Sequence, residues 1–173
     1  LSAVLKQLRG QPAFWWLAAG SAITSFVGYG QQAFYVSFFL RNYTPELTAA
    51  AQAVGFAGPL AFIGVTLGIV LGVSGGLGTL IGGRLGDRYV ARGPGGYGMV
   101  AAISMLISGP LLAAVFFLGS GLTILVLLTV PLFFKNMWFG PVFAAIQGMI
   151  AQRSRATATA IFLFVLNAGG LGL

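Results

Sequence analysis

Cysteine and histidine are absent from the 173 residues, and only two carboxylates are present, Glu46 and Asp87. Without thiols or imidazoles there is no disulfide, no thiolate or imidazole metal site and no histidine general base. The two acids stand at opposite ends of one apolar stretch, so an acid–base pair is lacking as well. The chain is read as a non-enzyme with no cofactor and no metal. Charge of either sign is scarce: 6% of residues are charged and 58% are hydrophobic, where soluble domains carry roughly 25% charge. The charge-free runs 10–40 and 47–83 each exceed the roughly 20 residues that a helix needs to cross a hydrocarbon core. Their length also excludes a cleaved signal peptide, whose apolar stretch is about 7–15 residues. The net charge of +7 invites nucleic acid, but the basic residues fall in ones and twos at segment ends with no aromatic platform among them, and that partner is set aside.

What remains is an all-α, polytopic membrane protein. After a lead-in over residues 1–12, five apolar segments are expected at about 13–40, 60–83, 96–118, 122–150 and 156–173. Thr44-Pro45-Glu46 reads as an N-cap, a proline in the first turn and an acid beside it, opening a short helix that Gly58-Pro59 interrupts. An Arg- and Gly-rich loop is expected after residue 83, and Gly119-Ser120-Gly121 reads as a tight turn. If the chain weaves once per segment, Lys6, Arg9, Arg84, Arg88, Arg92, Arg153 and Arg155 share one side and only Arg41 faces the other. Basic residues near span ends are retained in the cytoplasm, which puts the N-terminus there. The chain opens on Leu1 and closes inside an apolar run, so it is expected to be part of a longer polypeptide.

Several motifs are weighed against chance. Gly72-x-Ser74-x-Gly76 matches a hydrolase nucleophile pattern, but there is no histidine to serve it. Gly93-x-Gly95-x-x-Gly98 spells a dinucleotide fingerprint, yet it follows no strand and opens an apolar span. Gly64, Gly68, Gly72 and Gly76, at strict four-residue spacing, leave one helix face bare, a surface suited to close helix packing or to sliding.

Gly83-x-Leu85-x-Asp87-Arg88, with Arg92 beyond, resembles the cytoplasmic loop signature of the major facilitator superfamily in the degenerate form usual between helices eight and nine. Two longer stretches strengthen the resemblance. "FWWLAAGSAITSFVGYGQQAF", residues 14–34, is similar to helix seven of the bacterial spinster-like branch, and "MWFGPVFAAIQGMIAQRSRATATAIFLFVLNAGGLGL", residues 137–173, to helices ten and eleven. The resemblance implies a C-terminal portion, helices seven to eleven, of a twelve-helix carrier whose N-terminal half lies elsewhere. It also implies that Gly83, Asp87, Arg88 and Arg92 form a latch between the halves, with Asp87 on a helix N-terminus or paired with the arginines. Anionic lipid headgroups are a further partner for Arg88 and Arg92.

"PLFFKNMWFGP", residues 131–141, sets a lysine and an asparagine in apolar sequence. At 1.5 Å per residue from the turn at Gly121, Lys135 lies about 20 Å into a core roughly 30 Å thick. A lysine at mid-depth costs about 2.5–3.5 kcal/mol on insertion scales, so such residues face a bundle interior or a watery cavity. Thr129, Asn136, Gly140, Phe143 and Gln147 share a face near it, and Pro131 and Pro141 bracket the site. Lys135 is left with four options: an acid from elsewhere in the complete protein, carbonyls freed near Pro141, titration, or an anionic group of a solute. A second stripe, Ser21, Thr24, Ser25, Gly28, Gln31, Gln32 and Tyr35, lies within about 120° of arc on the first segment. The stripes suit a shared aqueous cavity, or plain interhelical hydrogen bonds at about 0.6 kcal/mol each. Lys135, Asn136, Gln147, Thr24, Gly28, Gln31, Gln32 and Tyr35 are the cavity candidates.

The expected function is a secondary carrier of a small or amphiphilic solute, with an anionic group on it as one partner for Lys135. The resemblance implies alternating access by inverted repeats, in a bacterial inner membrane; spinster-like relatives include lipid and lysolipid exporters. The alternatives are a non-transporting scaffold subunit that packs by its glycine face, and a channel, which needs a continuous pore and generally an oligomeric ring.

Overall fold

The computed structural model describes residues 2–93 and 95–172, without the side chains of Ser2, Ala3 and Lys6. The Lys6 side chain, counted in the charge tally, and Leu173, the end of the last expected span, thus fall outside what is described. The elements are α1 (Ser2–Arg9), α2 (Pro12–Ala53), α3 (Pro59–Val90), α4 (Gly96–Phe116), α5 (Gly121–Leu127), α6 (Thr129–Asn136), α7 (Phe139–Gly148), a 3₁₀ turn (Gln152–Ser154) and α8 (Arg155–Leu171). Among the described residues there is no strand.

Proline places the breaks. A helical proline donates no bond to the carbonyl four residues back and its ring crowds that carbonyl. Pro131 meets Leu127, where α5 ends, and Pro141 meets Met137, just past the end of α6. The expected fourth segment is therefore one apolar span, Gly121–Gly148, in three helical pieces. Pro45 acts likewise on α2, where Tyr43 leaves helical geometry at φ −134°, ψ 19°. Thr44 does not cap a new helix as expected. Its hydroxyl donates backward to the Leu40 carbonyl, although a fresh helical stretch does follow the kink at Tyr43.

Four stretches are long and apolar enough to cross a membrane: Pro59–Val90, Gly96–Phe116, Gly121–Gly148 and Gln152–Leu171. The expected first span lies in α2, 42 residues with a kink at Tyr43. It is not among the four, since the Ser, Thr, Gly and Gln positions of its polar stripe dilute its apolar character. The helix exteriors are apolar: Trp16 is 79% exposed, Leu106 73% and Phe117 89%. Unpaired surface of this kind suits lipid rather than water.

The chain divides into two compact units, residues 1–33 with 142–173, and residues 34–141. In the first, the Trp15 indole donates to the Leu8 carbonyl and Gln11 Nε2 to the Met149 carbonyl, while Leu8 and Phe14 are fully buried. The lead-in thus contains a docked helix that was not foreseen. In the second, Phe39 and Leu47 of α2, Ile63 and Leu67 of α3, and Ile124 and Leu125 of α5 form the centre of an apolar core.

Candidate functional site

The densest part of the second unit is the seam where α3 meets α6 and the start of α7. Ser74, Gly78, Gly82 and Gly86 form the buried edge of α3. A Cβ on Gly78 would lie 2.5 Å from the Phe133 carbonyl oxygen, and one on Gly82 would lie 2.0 Å from that of Met137. On Gly86 it would meet the Tyr97 ring at 2.8 Å. Gly140 answers from the other side, where a Cβ would come within 2.6 Å of the Thr79 oxygen and 2.7 Å of Gly83 N. The Met137 carbonyl is the one that Pro141 deprives of its helical donor, and it turns onto bare glycine. Membrane helices approach this closely only where small residues remove the side-chain layer.

This seam carries the packing among the described residues of the second unit. Gly64, Gly68, Gly72 and Gly76 meet no other atom within 4 Å among the described residues, and all four are exposed. The working glycines keep the four-residue spacing but are displaced by two positions, because α6 and α7 lie against the face that begins at Ser74.

Lys135 and Asn136 end α6 at the proline-made break, both half-buried. Asn136 Nδ2 donates to the Leu132 carbonyl at 2.7 Å, and its Cβ lies against Gly78. Ser108 of α4 donates to the Pro131 carbonyl at 2.9 Å, which ties a third helix to the same piece of span. Lysine, asparagine and the glycine seam therefore form one cluster in the second unit.

Tyr35 does not join that cluster. It is 4% exposed within the apolar core, and its hydroxyl has no hydrogen-bond partner among the described residues. Tyr35 shares a helical face with Phe39, four residues on, and the core of α3 and α5 claims both.

The Gly83-to-Arg92 motif sits mostly on helix, since α3 runs to Val90 and only the last residues form the turn. Arginine and leucine are good helix formers, and the glycines at 83 and 86 are carried within α3, which ends only before Gly93. Asp87 accepts from the Tyr97 hydroxyl at 2.9 Å. Among the described residues it pairs with none of the arginines, since Tyr97 of the first turn of α4 lies within its reach. Arg92 instead lies over the Tyr89 ring, 5.2 Å from its centre. Gly83 is in ordinary contact with Gly140. Ile81, Arg84, Leu85, Asp87 and Arg88 line an open groove of about 500 Å³.

The remaining candidates lie in the first unit. Thr24 donates to the Gly20 carbonyl of its own helix. Gly28 and Gln31 are half-buried, and Gln32 and Gln147 exposed. Ser21 and Ser25 are buried, and Ser25 with Tyr29 packs against Gly170 of α8. The Tyr29 hydroxyl donates to Asn167 Oδ1 at 2.8 Å. Part of the first stripe is thus a helix seam rather than a cavity wall.

Sequence reasoning read Glu46 only as an acid beside Pro45 and missed its partners across the chain. Its carboxylate accepts from the Ser120 hydroxyl at 2.8 Å, from Gly121 N at 2.9 Å and from Leu122 N at 3.0 Å. Those backbone donors, Leu122 first and then Gly121, with the Ser120 hydroxyl after them, hold its pKa below the ordinary carboxylate value.

No family model matches the chain. Over 154 residues, 89% of its length, it is 29% identical to an MFS-type efflux pump of Mycolicibacterium smegmatis, of which it covers 33%. Its fold matches the crystal structure of a bacterial homolog of the human lysosomal transporter Spinster, inward-facing and unoccupied, with a TM-score of 0.72 and 24% identity. That match covers 99% of this chain and 34% of the other. The chain spans about a third of the length of both proteins.

Proposed function

We propose, from the premise that this chain has the fold of the major facilitator superfamily and corresponds to about a third of such a protein, that it forms the helix seven-to-eleven portion of a secondary carrier. The carrier moves a small or amphiphilic solute by alternating access, with its N-terminal half supplied by the rest of the protein. The supporting observation is the cluster at the break in the span Gly121–Gly148, where Lys135 and Asn136 end α6 against the glycine seam. A cation held at a helix break offers an anionic group both a charge and a flexible wall. Thr24, Gly28, Gln31, Gln32 and Gln147 remain candidates for the cavity. Asp87, Arg88 and Arg92 remain candidates for the cytoplasmic latch, with the N-terminus on that side of a bacterial inner membrane. In the state seen here the Tyr97 hydroxyl holds Asp87.

The glycine face at 64, 68, 72 and 76 suits a helix of the other half, and it is also the one feature that favours a scaffold subunit. The test is counterflow: the complete protein in proteoliposomes preloaded with unlabelled lysophospholipid or a small organic anion. Accumulation of labelled probe driven by the trapped one supports a carrier. Binding without exchange supports the scaffold.

A further inference from the structure

The outermost turn of the broken span is held by one side chain. Glu46 reaches across 74 to 76 residues of sequence to take all three donors at the start of Gly121–Gly148. The bend at Tyr43 aims it there, and the Tyr43 side chain lies against Gly121, where a Cβ would come within 2.5 Å of Cγ. Three features distinguish this contact from a permanent cap. Glu46 is exposed, so water can replace each bond it gives up. The contact on Gly121 is ring against bare backbone, with no interlocking side chain to withdraw. Both partners adjoin proline-made weak points, Tyr43 before Pro45 and Leu128 before Pro131, where a helical donor is missing and α5 can bend.

We infer that Glu46 is the outer latch of the carrier: it holds the first turn of the broken span against α2 in the state seen here and releases it when this side opens. This rests on the carrier reading, in which the matched neighbour is inward-facing and therefore closed at the other end. Swinging α5 also moves Ile124 and Leu125, both fully buried. Exchanging protein neighbours for lipid tails costs such residues packing but no hydrophobic free energy.

Among the described residues no other charge competes for the carboxylate. The turn at Gly119-Ser120 and α5 contain none, α4 contains none, and α3 contains none before Arg84. The charged neighbour on its own helix, Arg41, is not among the causes of its lowered pKa. The carboxylate therefore keeps its charge at neutral pH, so release in the cycle exchanges its three protein donors for water, and its protonation takes acid below the ordinary carboxylate range.

The experiment places spin labels at Ala49→Cys and Thr123→Cys, both exposed, in the complete protein in nanodiscs, and reads their distance distribution. A swing of about 30° on an α5 lever of about 10 Å moves the second label about 5 Å. Glu46→Gln at pH 7 is expected to populate a distance about 5 Å longer than wild type at pH 7, and wild type acidified until the carboxylate is protonated is expected to do the same. Ser120→Ala, which removes one donor of three, is expected to populate it partially. Identical distributions in Glu46→Gln, or in Ser120→Ala and acidified wild type should the first variant fail to fold, overturn the latch. The readout needs no transport, so a moving latch without counterflow sinks the carrier reading alone.

Discussion

Gly82→Ala tests the glycine seam most sharply, because two effects of known size oppose each other there. Alanine is favoured over glycine within a helix by about 0.8–1.0 kcal/mol. Against this, the new Cβ would lie 2.0 Å from the Met137 carbonyl oxygen and 2.7 Å from its carbon, where ordinary contact begins at 3.4 Å. The obstacle is backbone and cannot rotate aside, so α3 and the end of α6 must part by roughly 1.4 Å. Overpacking of this kind costs about 1–3 kcal/mol, and the upper half of that range exceeds the helix gain. Separation also strips contacts from Gly78 and Gly140, which share the seam. Gly82→Ala should therefore lower the thermal midpoint of the purified protein in detergent by several degrees. Gly72→Ala, with nothing within 4 Å, should leave it unchanged or raise it slightly. Native-like stability in Gly82→Ala would refute the seam.

Further expectations concern single polar groups. Tyr35→Phe should keep or raise stability, since it removes a buried hydroxyl without a partner and spares a desolvation penalty of about 1–3 kcal/mol; a clear loss in a thermal melt would mean that the hydroxyl has a partner. Tyr29→Phe and Asn167→Ala, combined in a double-mutant cycle, should show a coupling of about 0.6 kcal/mol, and zero coupling would remove the bond. The lowered pKa of Glu46 means that its contribution is full above the ordinary carboxylate range and is lost as pH falls through the folded value. Melts of wild type between pH 7 and 3 should therefore decline in acid, and Glu46→Gln should lack that component.

The positions of the breaks were legible because proline acts locally: Pro131 and Pro141 determine where carbonyls are orphaned whatever surrounds them. The glycine face was not, because Gly64 to Gly76 and Gly78 to Gly86 obey the same spacing, and only the neighbouring helix selects a register. Tyr35 went to the core for a related reason. Its place in a polar arc was correctly counted, but an arc does not say which neighbour covers its edge. Asp87 was singled out by its motif, while Tyr97, ten residues on, carries no signal until α3 is known to continue through Val90. Glu46 read as an acid in a first turn and proved to serve a different helix, a pairing across 74 to 76 residues that local patterns do not encode.

The most direct test of the carrier account is counterflow of labelled lysophospholipid or organic anion by Lys135→Met in proteoliposomes, beside wild type of equal folded content. Loss of a cation that faces solute should reduce exchange at least about tenfold, the equivalent of 1.4 kcal/mol, with the thermal midpoint preserved. Exchange and probe binding equal to wild type would show that the ammonium only packs the break in its own helix.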